Sequence, residues 1–325
     1  MRPVFFLFLF SFFIHSSCSF EGVLPAATGK PGELVVVTDT FFLNEPGGKR
    51  IIDSLSAAYP ALPQYEPWFR VVTVPPLNFK SILTHHQNIL MIETGPVGGG
   101  KDYALTMKRD VWAKPQLVLN LRARDRALLG KAVEVFAASI RGKFADEEIS
   151  RLVQATLSAN QGPVTSELQQ ILGVQMPFDE EYFLAKKSKG YAWIRKETIH
   201  TSIGFQIQEI SYTSDSIFSA IQMVQLRDSV SKRNIPGPTP GSYMATETDV
   251  PVEYSVIPHD SMYVAEIAGL WRTEGDFMGG PFKSWLMVNR QSSRAFFVDA
   301  FVYAPKFGKR EYMKRLDAMA RCIRF

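Results

Sequence analysis

The sequence predicts an α+β fold: two layered domains of mixed or antiparallel sheet with helices packed on one face. Three observations predict it. Short β-branched runs bounded by glycine and proline read as strands. Longer stretches carry apolar residues at helical spacing. The two kinds follow one another in mixed order rather than in strict alternation, which suits helices gathered on one side of each sheet. The chain has 325 residues, more than one core comfortably holds, so two domains are expected.

Residues 19–32 hold Pro25, Gly29, Pro31 and Gly32 with little periodicity, and read as a tether. Glu33-Leu-Val-Val-Val-Thr-Asp39 is the first strand. Asn44-Glu-Pro-Gly-Gly48 turns the chain into a helix over 49–58, which Pro60, Pro63 and Pro67 end. Strands follow at 68–74, 88–93 and 116–123, with a short helix within 77–86. Leu128, Leu129, Ala132, Val135, Phe136 and Ile140 predict a helix over 125–141; Ile149, Leu152, Val153 and Thr156 predict a second over 146–159. Gln161-Gly162-Pro163 is the expected boundary between an N-terminal domain, 33–160, and a C-terminal domain, 163–325. Beyond it come a short helix at 165–172 and strands at 182–187, 191–197 and 203–212. A helix is expected at 214–233, then a proline-rich exposed loop at 234–241. Strands at 263–271, 284–289 and 295–302 precede a closing helix at 309–320.

Ahead of the tether, Arg2 precedes an apolar run over 4–14 interrupted only by Ser11, and Ser16-Ser17 stand before Cys18. A transmembrane helix needs roughly 20 apolar residues; this run has the length of an export-signal core. Residues 1–18 are therefore expected to be a lipoprotein signal peptide, with acylation at Cys18. Plain secretion without lipid, and a retained segment, are the alternatives, because His15 stands where such boxes carry Leu, Val or Ile. Several acyl chains on one cysteine anchor durably. Ser19-Phe-Glu-Gly22 lacks an acidic cluster, so the expected location is the cell envelope, lipid-anchored to the outer membrane and facing the periplasm.

Without Arg2 the remainder carries 35 Lys+Arg against 32 Asp+Glu. This near balance excludes the footprint of a nucleic-acid binder. Cys322 is the only other cysteine, read as a small buried apolar side chain; a bridge to Cys18 is the alternative if no lipid is attached. Gly95-Pro-Val-Gly-Gly-Gly-Lys101 resembles a phosphate loop, but Asp102 stands in place of the Ser or Thr that would hold Mg²⁺, so it reads as a glycine turn. His85, His86, His200 and His259 form no ligand spacing, so no metal and no cofactor are expected.

The densest cluster of aromatics, glycines and acids runs from Trp271 to Trp285. Glu274 and Asp276 would share one strand side if the strand continued, close enough to perturb one another, and are the candidate catalytic carboxylates. Trp271, Gly279, Gly280 and Phe282 are the candidate binding residues, with Trp271 expected in the core and the others shaping a rim. The basic C-terminal stretch, Lys306 to Arg324, reads as complementing a helix dipole, with contact to anionic lipid as the alternative.

Several stretches together resemble one family: Gly29-Lys-Pro-Gly-Glu-Leu-Val-Val-Val37, Arg227-Asp-Ser-Val230, Ile235-Pro-Gly-Pro238, Gly241-Ser-Tyr-Met244, Gly269-Leu-Trp271, Asp276-Phe-Met-Gly-Gly-Pro-Phe282 and Phe301-Val-Tyr-Ala-Pro-Lys306. The chain is similar, from about Thr28 to its end, to an uncharacterised Bacteroidetes lipoprotein family catalogued as a domain of unknown function, DUF 4837. The resemblance implies a lipidated envelope protein and brings no activity or catalytic residues. The expected function is non-catalytic binding or scaffolding of an unknown envelope ligand or protein, with the membrane as partner through the anchor. An envelope hydrolase or transferase using carboxylates near Glu274 and Asp276 is the alternative. Convergence of those acids on His259 or Lys101 in a cleft would favour it.

Overall fold

The computed structural model describes residues 23–259, 261–289 and 291–325. The expected signal peptide, Cys18 and the first residues of the tether lie outside the described residues. The class is α+β, built on two sheets.

The first sheet contains β1 (Glu33–Val37), β2 (Arg70–Val74), β3 (Asn88–Thr94), β4 (Tyr103–Arg109) and β5 (Leu117–Ala123), in the order β2-β1-β3-β5-β4. All neighbours are parallel except β4, which runs antiparallel to β5. Helices α1 (Thr40–Asn44), α2 (Pro46–Leu55) and α3 (Arg126–Ser158) connect and cover it. Parallel strands covered on both faces read as unbroken apolar runs, and β1 does. Leu34 and Val36 join Leu90, Leu119 and Leu121 beneath α2 and α3. Val35 and Val37 join Ile89 and Val118 on the opposite face. Among the described residues no α-helix packs on that face. Two 3₁₀ turns, Pro76–Asn78 and Ser81–His85, cap part of it through Phe79, Leu83 and Trp112.

Two helices were expected where α3 is one continuous helix of 33 residues. The gap around 142–145 is bridged because Phe144 is fully buried and meets the Phe69 ring edge-on at 6.1 Å. Asp125 caps the start, accepting from the Leu128 amide at 2.9 Å.

The second sheet is antiparallel throughout its main path. Its strands are β6 (Phe183–Ser188), β7 (Tyr191–Glu197), β8 (Ser202–Ile210), β9 (Tyr243–Thr246), β10 (Glu253–Ile257), β11 (Met262–Glu274), β12 (Gly279–Asn289) and β13 (Ala295–Tyr303). The order is β10-β11-β12-β13-β8-β7-β6, with β9 on the far end of β11. Helices α4 (Pro163–Leu172) and α6 (Arg310–Arg321) pack on one face, and α5 (Ala220–Asn234) packs on the other. The helix expected from 214 starts later, because the Ser219 side chain caps α5 and a 3₁₀ turn, Asp215–Phe218, precedes it.

Beneath α5 lies a fully buried ion pair. Arg227 Nε donates to Asp299 Oδ1 at 3.0 Å, and Ser284 and Gln206 also donate to that carboxylate. The guanidinium further donates to Thr246 Oγ1 at 3.0 Å and lies 3.8 Å over the Phe282 ring.

Helix α6 joins the two sheets. Lys314 is buried against Glu148 of α3, Nζ to Oε2 2.5 Å, while Glu148 Oε1 accepts from the Gly32 amide and from Asn88. Glu66 accepts the Lys309 amide at 2.5 Å and the Arg310 amide at 3.1 Å, so a carboxylate of the first half caps the last helix. Arg310 and Lys314 are therefore not the solvated dipole partners expected from the basic C-terminal stretch; they are buried because carboxylates and carbonyls of the first half receive them.

Candidate functional site

The β11–β12 hairpin places most of the expected site residues. Trp271 pairs with Gly280 across it, and Gly269 with Phe282. Trp271 is 3% exposed. Its indole Nε1 donates to the Val302 carbonyl of β13 at 3.2 Å, and its ring meets Phe301 edge-on at 6.0 Å and Tyr303 at 6.4 Å. Gly280 makes that possible: a Cβ there would stand 2.0 Å from Val302 O and 3.1 Å from the Trp271 nitrogen. At Gly279 a Cβ would meet the Trp271 carbonyl at 2.8 Å. The two glycines act by close approach of backbone, not by forming an exposed rim. Phe282 is also not a rim residue. It lies two cross-strand pairs deeper, under α5, where its fully buried ring carries the Arg227 guanidinium.

At the hairpin end of the sheet Trp271, with residues of the neighbouring strands, walls a cavity of about 400 Å³; Gly279, Gly280 and Phe282 do not line it. Trp193 and Arg195 of β7, Ser202 of β8, Phe301 and Tyr303 of β13, and Trp271, Thr273 and Met278 of the hairpin line it. Met244 and Ile235-Pro-Gly-Pro238 close the remaining side. The Arg195 guanidinium lies 5.0 Å from the Trp193 ring centroid and pairs with Glu197. The lining is aromatic and aliphatic, with one cation, Arg195, and three hydroxyls, of Ser202, Thr273 and Tyr303. That is the make-up of a site that buries an apolar body and orients it with few polar groups.

The expected carboxylates stand apart from it. The strand ends at Glu274, and Gly275 takes a left-handed φ of +83°, so Asp276 does not continue the strand side on which Glu274 projects. Glu274 pairs with Arg272 at 2.5 Å, which also reaches Glu247 at 3.2 Å. Asp276 accepts from the Thr239 hydroxyl at 2.5 Å and from the Phe277 amide at 2.6 Å. Those two donations, the hydroxyl first, hold its carboxyl below the ordinary range. Neither carboxylate lines the cavity. His259 lines a different one, of about 230 Å³, with Glu266, Trp285, Asp317 and Arg321. Lys101 lies in the β3–β4 connection of the first sheet. Among the described residues no group of three or more His, Cys, Asp or Glu is placed to hold a metal ion.

Sequence reasoning missed Trp193, Arg195, Phe301 and Tyr303, which come from strands distant in sequence. A signal was present: the family-like stretches at 235–238, 241–244, 269–271, 276–282 and 301–306 each contribute a lining residue.

Residues 161–322 match the family model described as a domain of unknown function, DUF4837. Residues 27–156 match a second, also a domain of unknown function, DUF8532. The stretch Gly29 to Val37 falls within the latter. No curated protein matches the chain. Among solved structures, the chain has a likeness to LpqN, involved in cell envelope biogenesis of Mycobacterium tuberculosis. The identity is 12% and the TM-score 0.27, over 46% of this chain and 81% of that one. Human STARD10 gives 8% identity and a TM-score of 0.25, over 48% and 78%. At such TM-scores neither likeness bears on the fold or the role of this chain.

Proposed function

We propose, from the premise that the chain belongs over residues 161–322 to the DUF4837 family, that it is a cell-envelope lipoprotein that binds an apolar or aromatic ligand without catalysis. The chain is acylated at Cys18, held to the outer membrane and exposed to the periplasm. The observation that carries the binding reading is the cavity walled by Trp193, Trp271, Phe301 and Tyr303, from which the candidate carboxylates are absent. A preformed concave apolar site with a few polar groups is the default geometry of small-molecule binding. Arg195 suits a ligand with an anionic or acceptor group at one end.

The test uses anilinonaphthalene sulfonate, an aromatic anion. Its fluorescence should rise and saturate with the wild type, and Met278→Trp, which fills the cavity from its lip, should abolish the signal while leaving the thermal melt in place. Equal dye binding by both proteins would sink the assignment. The anchor is tested separately. Wild type should incorporate radiolabelled palmitate and Cys18→Ser should not. Digestion of the protein by protease on intact cells would count against periplasmic exposure.

A further inference from the structure

The first sheet exposes a second surface, remote in sequence from the Trp271 cavity. The segment over 75–87 is apolar on two sides. Phe79 and Leu83 face inward, the former edge-on to Trp112 at 5.5 Å, and cap the helix-free face of the sheet. Leu77 and Ile82 face outward, 90% and 68% exposed. The first described residues lie alongside. The Lys114 amide donates to the Pro25 carbonyl at 2.9 Å, and the Thr28 amide to His85 O at 2.8 Å. Val23 and Leu24 directly precede that bridged stretch, Val23 at 86% exposure. Lys80 is exposed on the same cap, and the Lys114 side chain is 72% exposed.

We infer that this corner docks on the phospholipid bilayer, with Leu77, Ile82, Val23 and Leu24 seated at the boundary of headgroups and acyl chains. The inference rests on the proposed acylation of Cys18. Five residue steps separate Cys18 from Val23, and a fully extended chain spans at most about 3.6 Å per residue, roughly 18 Å in all. An acylated chain cannot carry this corner further from the headgroups than that. Among the described residues the exposed apolar side chains here have lysine beside them, the arrangement that seats a surface in an anionic interface. The lysine stems can lie along the apolar contact while their ammonium groups reach phosphate. The bilayer is the surface to which the acylated tether holds this corner.

The experiment uses the acylated chain in vesicles of phosphatidylethanolamine and phosphatidylglycerol. An environment-sensitive fluorophore is placed at Ile82→Cys, or at Phe277→Cys on the β11–β12 hairpin. The Ile82 label should shift to the blue and lose quenching by aqueous iodide on vesicles, while the Phe277 label should not change. In the chain with Cys18→Ser, Leu77→Asp together with Ile82→Asp should lower vesicle partition at least about tenfold. An Ile82 label that stays fully open to iodide on an acylated chain would overturn docking while leaving the anchor intact. Absent palmitate incorporation with a vesicle-dependent Ile82 shift would overturn the anchor and support docking. Equal partition of the parent and double-aspartate chains would also overturn it.

Discussion

The two sheets dispose of their two faces differently. The second is covered by α4 and α6 on one side and α5 on the other, and it carries charge in its interior: Arg227 and Asp299 are wholly buried. The first has helices on one face only, and a thin cap of 3₁₀ turns leaves Leu77 and Ile82 in solvent. Its ion pairs Arg122–Glu93 and Arg126–Asp39 are at least partly exposed. A sheet closed on both sides can hold an ion only where every donor and acceptor is met, and Asp299 meets three side chains. A sheet left open does not face that cost, and its uncovered apolar residues are free to meet something outside the chain.

The sharpest way to break the contrast is to remove one ion from the closed sheet. Asp299→Ala leaves Arg227 buried without its carboxylate and should destabilise by about 5 kcal/mol in urea unfolding. A loss under about 1 kcal/mol would mean that water reaches the pair. Trp271→Ala comes next, at about 3–4 kcal/mol, since it removes a core ring and the bond to Val302; an unchanged thermal melt would defeat the core assignment. At the junction, Glu148→Ala strands Lys314 and should cost about 2–3 kcal/mol. We propose that 28–160 and 163–325 are separate compact units. Limited proteolysis should then cut first near 161–163 or within 234–241, faster in Glu148→Ala, whereas first cleavage inside 125–141 would contradict this.

Alkaline titration gives a smaller effect. Burial works against the Lys283 charge, but Asp317 and Glu266, at 3.1 and 2.9 Å, outweigh it and raise its pKa. Burial, then the Asp299 charge, raises Tyr191. Groups raised in the folded state bind protons more tightly than in the unfolded chain. Their contribution is therefore complete below the unfolded values, about 10.4 for Lys and 10 for Tyr, and is lost as pH rises through the folded ones. Stability should stay level with respect to these groups up to about pH 10 and then fall, less steeply in Tyr191→Phe. Smallest of all, Glu274→Gln and Asp276→Asn should leave the urea midpoint close to that of the wild type. Loss of function in these two alone, with dye binding retained, would favour the hydrolase or transferase alternative.

Apolar period and turn residues made much of this architecture legible. The runs at 33–39, 88–93 and 116–123 became strands because β-branched residues bounded by turns have few other places to go. Three strands escaped, among them Tyr243–Thr246, only four residues long and directly after the proline-rich loop. Tyr103–Arg109 follows the glycine turn and ends in Lys108 and Arg109, and Glu253–Ile257 is exposed along most of its length, so neither shows a buried face. The buried charges escaped for a related reason. Arg227, Glu148 and Lys314 sit in helices where a charged residue reads as solvent-facing, and only partners far along the chain reverse that. In the site, the aromatic hairpin drew attention to the right strands, but the alternation that hides Phe282 and the turn at Gly275 that parts the two acids depend on neighbouring strands.

Glu66 as the cap of α6 has a consequence for the order of assembly. A short helix is marginal alone, and this one has its first amides met by a carboxylate some 240 residues upstream. A chain that emerges from its N-terminus first presents the receiving surface, Glu66 and Glu148, long before the segment that fits it. The final helix should then be the slowest part to acquire protection from hydrogen exchange during refolding, because its closure spans most of the chain. Glu66→Gln should delay that step without slowing the formation of either sheet.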